Sequence, residues 1–88
     1  MFVKFVLDPQ GADSREHLLE ADAIEYSIQA MDESWRDKQY GILGPGPQEG
    51  EKAIVLWRYG AEVTLIAAHC TMYVMNDEGR TIDSLVCP

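Results

Sequence analysis

The sequence predicts an α+β domain: a single antiparallel sheet of four to six strands with one main amphipathic helix packed on one face. Three observations carry this expectation. An apolar, β-branched run opens the chain at residues 2–7, apolar positions recur at steps of four and three between His17 and Trp35, and residues 53–86 hold extended runs separated by turn residues. The chain has 88 residues, the length of one domain spanning 1–88, and its 47% apolar content is sufficient for a core.

Residues 2–7 (Phe-Val-Lys-Phe-Val-Leu) read as a strand stopped by Asp8-Pro9, with a loop through Ser14. Residues 15–21 admit two readings. As a strand they place His17, Leu19 and Ala21 on one face, and Asp22 then caps a helix in the box Asp22-Ala-Ile-Glu25. As helix they extend a single long element that starts at Asp13 with the same box, Asp13-x-x-Glu16. Both readings make residues 23–38 a helix, so the order is ββαβββ or βαβββ. Its buried stripe is Ile24, Ile28, Met31 and Trp35, with Ser27 and Ala30 as small fillers and Tyr26 towards the flank.

Gly41 to Gly50 is rich in helix breakers and reads as a long loop. Residues 53–59 read as a strand, with Gly60-Ala61 as a tight turn. Residues 62–75 are too long for one flat strand, so a bend is expected near Ala68 to Cys70. Val63, Leu65 and Ala67 share one face, as do Met72 and Val74. Asn76-Asp-Glu-Gly79 reads as a hairpin turn. Residues 80–86 form the last strand, with Ile82 and either Leu85 or Val86 turned inward.

Charge is the most informative compositional feature. Fifteen Asp and Glu face seven Lys and Arg, for a net charge of −8. Nine of the acids lie between Asp8 and Asp37, opposed there only by Arg15 and Arg36, so that stretch holds −7 of the total. Such a chain is repelled by nucleic acid and anionic membrane and attracted to basic protein surfaces. No apolar stretch reaches membrane-spanning length, no leader pattern precedes residue 8, and two unpaired cysteines suit a cytoplasmic protein.

The residues assemble no catalytic set. His69, Cys70 and Asp83 are the nearest approach to one, but adjacent strand residues point to opposite faces. Neither histidine has a ligand at metal spacing, and the acids lack a calcium-loop pattern, so no metal or cofactor is expected. Gly44-Pro-Gly-Pro47 has too few N–H donors to cradle phosphate. Trp57-Arg58-Tyr59 lacks the basic surround of a nucleic-acid-binding sheet; Trp57 reads as core, with Arg58 facing out. Glu25, Gln29, Asp32, Glu33 and Asp37 share the helix's outer face. They are the candidate partner-binding residues, weighed against a solvated face that serves only solubility.

The layout resembles small phage-encoded α+β anti-CRISPR proteins. The stretch that carries the likeness is the apolar strand ending Val6-Leu7-Asp8-Pro9, a polar loop, Glu16 to Ala21, and Asp22 opening an amphipathic helix before a β-meander. That group shares no catalytic motif, and no functional residue transfers from it. The resemblance implies an inhibitor that docks on a CRISPR effector subunit and blocks DNA binding or nuclease recruitment. Two alternatives stay open: an immunity protein for a nuclease toxin, and a small enzyme or nucleotide-binding protein with a pocket near Cys70. A homodimer is compatible with all three.

Overall fold

Alternation along the first strand sets the first layer. In β1 (Phe2–Leu7), Val3, Phe5 and Leu7 are buried, while Phe2, Lys4 and Val6 are half-buried on the other face, as the period of two requires. The structure, a computed structural model, describes residues 1–8, 14–21, 23–35, 40–58 and 64–87. Within these residues β1 is followed by β2 (Arg15–Glu20), β3 (Ile24–Ala30), a single 3-10 turn (Glu33–Trp35), β4 (Tyr40–Leu43), β5 (Lys52–Arg58), β6 (Thr64–Ala67), β7 (Cys70–Met75) and β8 (Thr81–Cys87).

These strands form two four-stranded sheets, ordered β2-β1-β7-β8 and β3-β5-β6-β4. All pairs are antiparallel except β4 with β6, which is parallel. The first sheet contributes Val3, Phe5, Leu7, Cys70, Met72, Val74 and Cys87 to a shared core, and the second contributes Ile54, Leu56 and Ala67. The sheets therefore stack face to face, in a slab 16 Å across its short axis.

The α+β class, the single sheet and the helix over 23–38 are overturned by this architecture. Residues 24–30 are strand β3, hydrogen-bonded to β5 from Ile24 opposite Arg58 to Ala30 opposite Lys52. The reason lies in an ambiguity of spacing. Ile24 and Ile28 are four apart, which puts them on one face of a helix and equally on one face of a strand. Ile24 and Tyr26 pack on the shared core, so the period is two. Met31 and Trp35, the other half of the expected stripe, leave the strand and fold over the opposite face of the second sheet. Pairing with a buried strand outweighs a helix preference amounting to tenths of a kcal/mol per residue, or about that order. The proposed cap Asp22 lies outside the described residues, as do Asp13 and the Gly60-Ala61 turn.

Strand β5 explains this wrapping. Ala53, Ile54, Val55 and Leu56 are all fully buried. Ile54 and Leu56 face the first sheet. Ala53 and Val55 face outward, where Met31, Trp35, Ile66 and Ala68 complete a second cluster with Trp57 against its flank. Trp35 and Trp57 meet with ring centroids 6.5 Å apart at a 39° tilt. Asp32 starts the covering turn: its Oδ1 accepts the Ser34 N–H at 2.9 Å, and its carbonyl accepts the Trp35 N–H at 3.1 Å.

Several local expectations hold. Of the two readings of residues 15–21, the strand is the one observed, over Arg15–Glu20 and antiparallel to β1. The bend near Ala68–Cys70 lies at His69, whose φ is 53°, and it carries the chain from the second sheet into the first. Leu65 and Ala67 share the core side, as do Met72 and Val74; Val63 lies outside the described residues. The hairpin turn is held by Asn76, whose Oδ1 accepts the Glu78 and Arg80 N–H groups, each at 3.0 Å, with Gly79 at φ 81°.

Others are corrected. Gly41 to Leu43, read as the start of a loop, belong to edge strand β4. Ile82 faces solvent rather than inward, while of Leu85 and Val86 it is Leu85 that turns inward, with Cys87; a register shift at Val74/Met75 leaves Ile82 without a partner between Asp83 and Thr81. Arg58 is half-buried, not outward, and its Nε is enclosed without a hydrogen-bond partner.

A side-chain hydrogen bond joins the sheets at their margin. The Tyr26 hydroxyl on β3 donates to Asp83 Oδ2 on β8. This bond, and then the Ser84 N–H, hold the Asp83 carboxyl below its ordinary value, while the same bond and partial burial push the Tyr26 hydroxyl up.

Two outcomes follow. Phe5→Ala removes a fully buried ring and is expected to cost about 3–5 kcal/mol in urea unfolding, against about 0.5 kcal/mol or less for exposed Leu18→Ala. In an NMR pH titration, the Asp83 carboxyl protonates below the usual carboxylate range, and Tyr26→Phe moves it up. The contact's stabilisation is present above the ordinary carboxylate value and is lost as pH falls through the lowered one.

Candidate functional site

The outer face of the second sheet gathers the candidate partner-binding residues by a route different from a helix. On β3, side chains alternate across the strand, so Glu25 stands opposite Trp57 and Gln29 opposite Ala53, both on the outer face. Gln29 Nε2 donates to Ser27 Oγ on the same face at 2.9 Å. Asp32 and Glu33 are exposed on the turn that covers this face. Asp37 lies outside the described residues, as do Arg36 and Lys38. Four of the five expected residues therefore share one side of the molecule.

Sequence reasoning missed the apolar half of this surface. Tyr40 and Ile42 on β4 pair with Thr64 and Ile66, which puts them on the same outer face. Ile42 is 52% exposed. Beside them a pocket of about 170 Å³ has Met31, Trp35 and Ile66 in its lining, with Asp32 and Glu49 also reaching it. The available signal was the short apolar run Ile42-Leu43 between glycines, which breaker-rich flanks disguised as loop. Gly46 supports this edge, because a Cβ there would come within 2.9 Å of Ile42 Cγ2 and its φ is 78°. The surface therefore combines acidic side chains with an exposed apolar strand, as protein-binding surfaces do.

The other sequence candidates fall elsewhere. Cys70 and Cys87 stand directly opposite each other on β7 and β8, both buried and both free thiols. Burial and then the neighbouring Cys87 push the Cys70 thiol up to about 12, the reverse of what a nucleophile needs. Cys87 Sγ donates to the Lys52 carbonyl at 3.3 Å. Asp83 is engaged with Tyr26, and His69 Nε2 lies 3.1 Å from Glu51 Oε2. His69 is exposed at the bend while Cys70 is buried, so the imagined His–Cys–Asp set is not assembled. His17 and His69, distant in sequence, instead line one groove with Asp8 and Arg15.

Among the described residues, no group of three or more His, Cys, Asp or Glu is placed to hold a metal ion, and no helix is long and apolar enough to cross a membrane. Comparison with protein-family models, curated proteins and solved structures found no significant match to this chain.

The thiol chemistry gives a direct check. At pH 8 the folded protein is expected to resist alkylation at Cys70 and to react fully once unfolded, as read by mass spectrometry. Its raised thiol also makes the fold lose stability as pH climbs from about 9 towards 12, because the unfolded state gives up this proton first.

Proposed function

We propose that this chain is a small inhibitory binding protein that docks on a basic, nucleic-acid-binding protein surface. The observation that carries the reading is the placement of Glu25, Asp32 and Glu33 on the same side as exposed Tyr40 and Ile42. Carboxylates on a rigid sheet and its covering turn attract Lys and Arg and speed encounter. Strand β4, at the opposite edge of the same sheet face, supplies the apolar contact that persists once water leaves. A partner whose groove normally holds phosphates offers both features.

A CRISPR effector subunit is the first partner to test. Such subunits hold guide and target strands in positively charged channels, and an acidic face seated there excludes DNA or the recruited nuclease. The support for this choice is the chain's size and its concentrated acidity. The helix in the layout that suggested the anti-CRISPR group is strand β3 in the structure, so the layout lends it no weight.

The test is co-purification with effector complexes at low and raised salt, with mass spectrometry and a target-cleavage assay. A complex retained at low salt and released at high salt is expected, with cleavage inhibited. Glu25→Lys with Glu33→Lys should slow association by about tenfold or more while leaving the thermal midpoint unchanged. Ile42→Asp should shorten the complex lifetime. Absence of any complex at low salt, with cleavage undiminished, would sink the reading.

A further inference from the structure

The core-facing side of β2 breaks the pattern of its neighbours. Its register with β1 puts Leu19 opposite Val3, His17 opposite Phe5 and Arg15 opposite Leu7. The β1 residues are buried apolar groups, so the same side of β2 should be apolar along its length. Only Leu19 obeys; Arg15 and His17 are exposed at the margin of the core. Neither side chain has a hydrogen bond or ion pair with any described residue.

What faces them is a groove of about 620 Å³, lined by Leu7, Asp8, Gly44, Pro45 and His69 together with Arg15 and His17. That volume falls within the range of about 300–1,000 Å³ found for small-molecule sites. Its walls are fixed in unusual ways. Asp8 (φ 50°) and His69 (φ 53°) are the two non-glycine residues at positive φ among the described residues, and both line this groove. They lock each other, since the Asp8 N–H donates to the His69 carbonyl at 3.0 Å. Left-handed residues of this kind cluster where a backbone is held for a ligand. Gly44, at φ 73°, lets the third wall approach, because a Cβ there would stand 3.2 Å from Leu7 Cδ1.

The geometry points to a second site: this groove binds the phosphate group of a small phosphorylated molecule, with Arg15 as the clamp, His17 as the flanking donor and His69 as part of the wall. A guanidinium fork and an imidazole N–H can serve separate oxygens of a tetrahedral oxyanion, whereas a planar carboxylate presents only two oxygens. Glu51 engages His69 Nε2 and fixes the ring, as an orienting carboxylate does elsewhere. Asp8 cannot contact the phosphate and instead accepts from a hydroxyl on the ligand's organic part. Arg15 is the one formal cation and Asp8 the one carboxylate in the described lining. The site is separate from the acidic outer face and does not depend on the docking role assigned to that face.

The experiment is an amide NMR titration of the whole chain with inorganic phosphate and with ribose 5-phosphate, at constant ionic strength, with ribose and acetate as controls. Saturable shifts are expected at Asp8, Arg15, His17 and His69, tighter with ribose 5-phosphate than with phosphate. Arg15→Gln and His17→Asn should each weaken binding by about tenfold or more. Arg80→Gln, in the hairpin at the other end of β7, should leave it unchanged. Unchanged amide spectra outside the groove establish that each variant is folded. Shifts that fail to saturate, that persist in both groove variants, or that acetate reproduces would overturn the proposal.

Discussion

Strand β5 is the constraint on which the molecule depends. Four consecutive residues, Ala53 to Leu56, are fully buried, so the strand needs apolar cover on both faces. The first sheet covers one side through Phe5, Met72 and Val74. On the other side the described residues form no third layer, and a short turn delivers Met31 and Trp35 there. Asp32 then serves two ends. It caps that turn through Ser34, and it is exposed on the outer face beside Met31 and Trp35.

How much of this was legible in the sequence follows from which residues carry a unique period. Phe2 to Leu7 and Ala53 to Arg58 are β-branched or aromatic and short, and both are strands. The bend before Cys70 was legible from length alone. Ile24, Ile28, Met31 and Trp35 satisfy helical spacing, yet the first two satisfy strand spacing equally, and the last two are needed on the opposite face of β5. Nothing local distinguishes these cases. The decision is made by β5, more than twenty residues downstream, which local propensity does not see. Strand β4 was hidden for a related reason: Gly41 within it and Gly44 just after it suggested loop, and its parallel partner β6 lies beyond the next strand.

The candidate surface was half legible. The acids were visible in composition, and an incorrect helix still grouped Glu25, Gln29, Asp32 and Glu33 correctly, because residues 25 and 29 share a face in either period. Their apolar companions Tyr40 and Ile42 emerged only with the sheet order. The juxtaposition of His17 with His69 was not legible at all. It depends on β1 pairing with β2 on one side and β7 on the other, a relation between distant segments that spacing does not encode.

That same pairing has a consequence for how the chain acquires its structure during synthesis. The second sheet is made wholly from residues 24–67, whereas the first joins residues 2–20 to residues 70–87. Strand β1 is synthesised well before β7 and waits for it. Until β7 arrives, Val3, Phe5 and Leu7 can form only a two-stranded ribbon, which is marginal alone in water. Closure of the sandwich is therefore a late, long-range event, and chains with such distant pairings fold in the millisecond-to-second class rather than in microseconds. A nascent chain halted before residue 70 would expose its most apolar strand to whatever chaperone or neighbouring chain lay nearest.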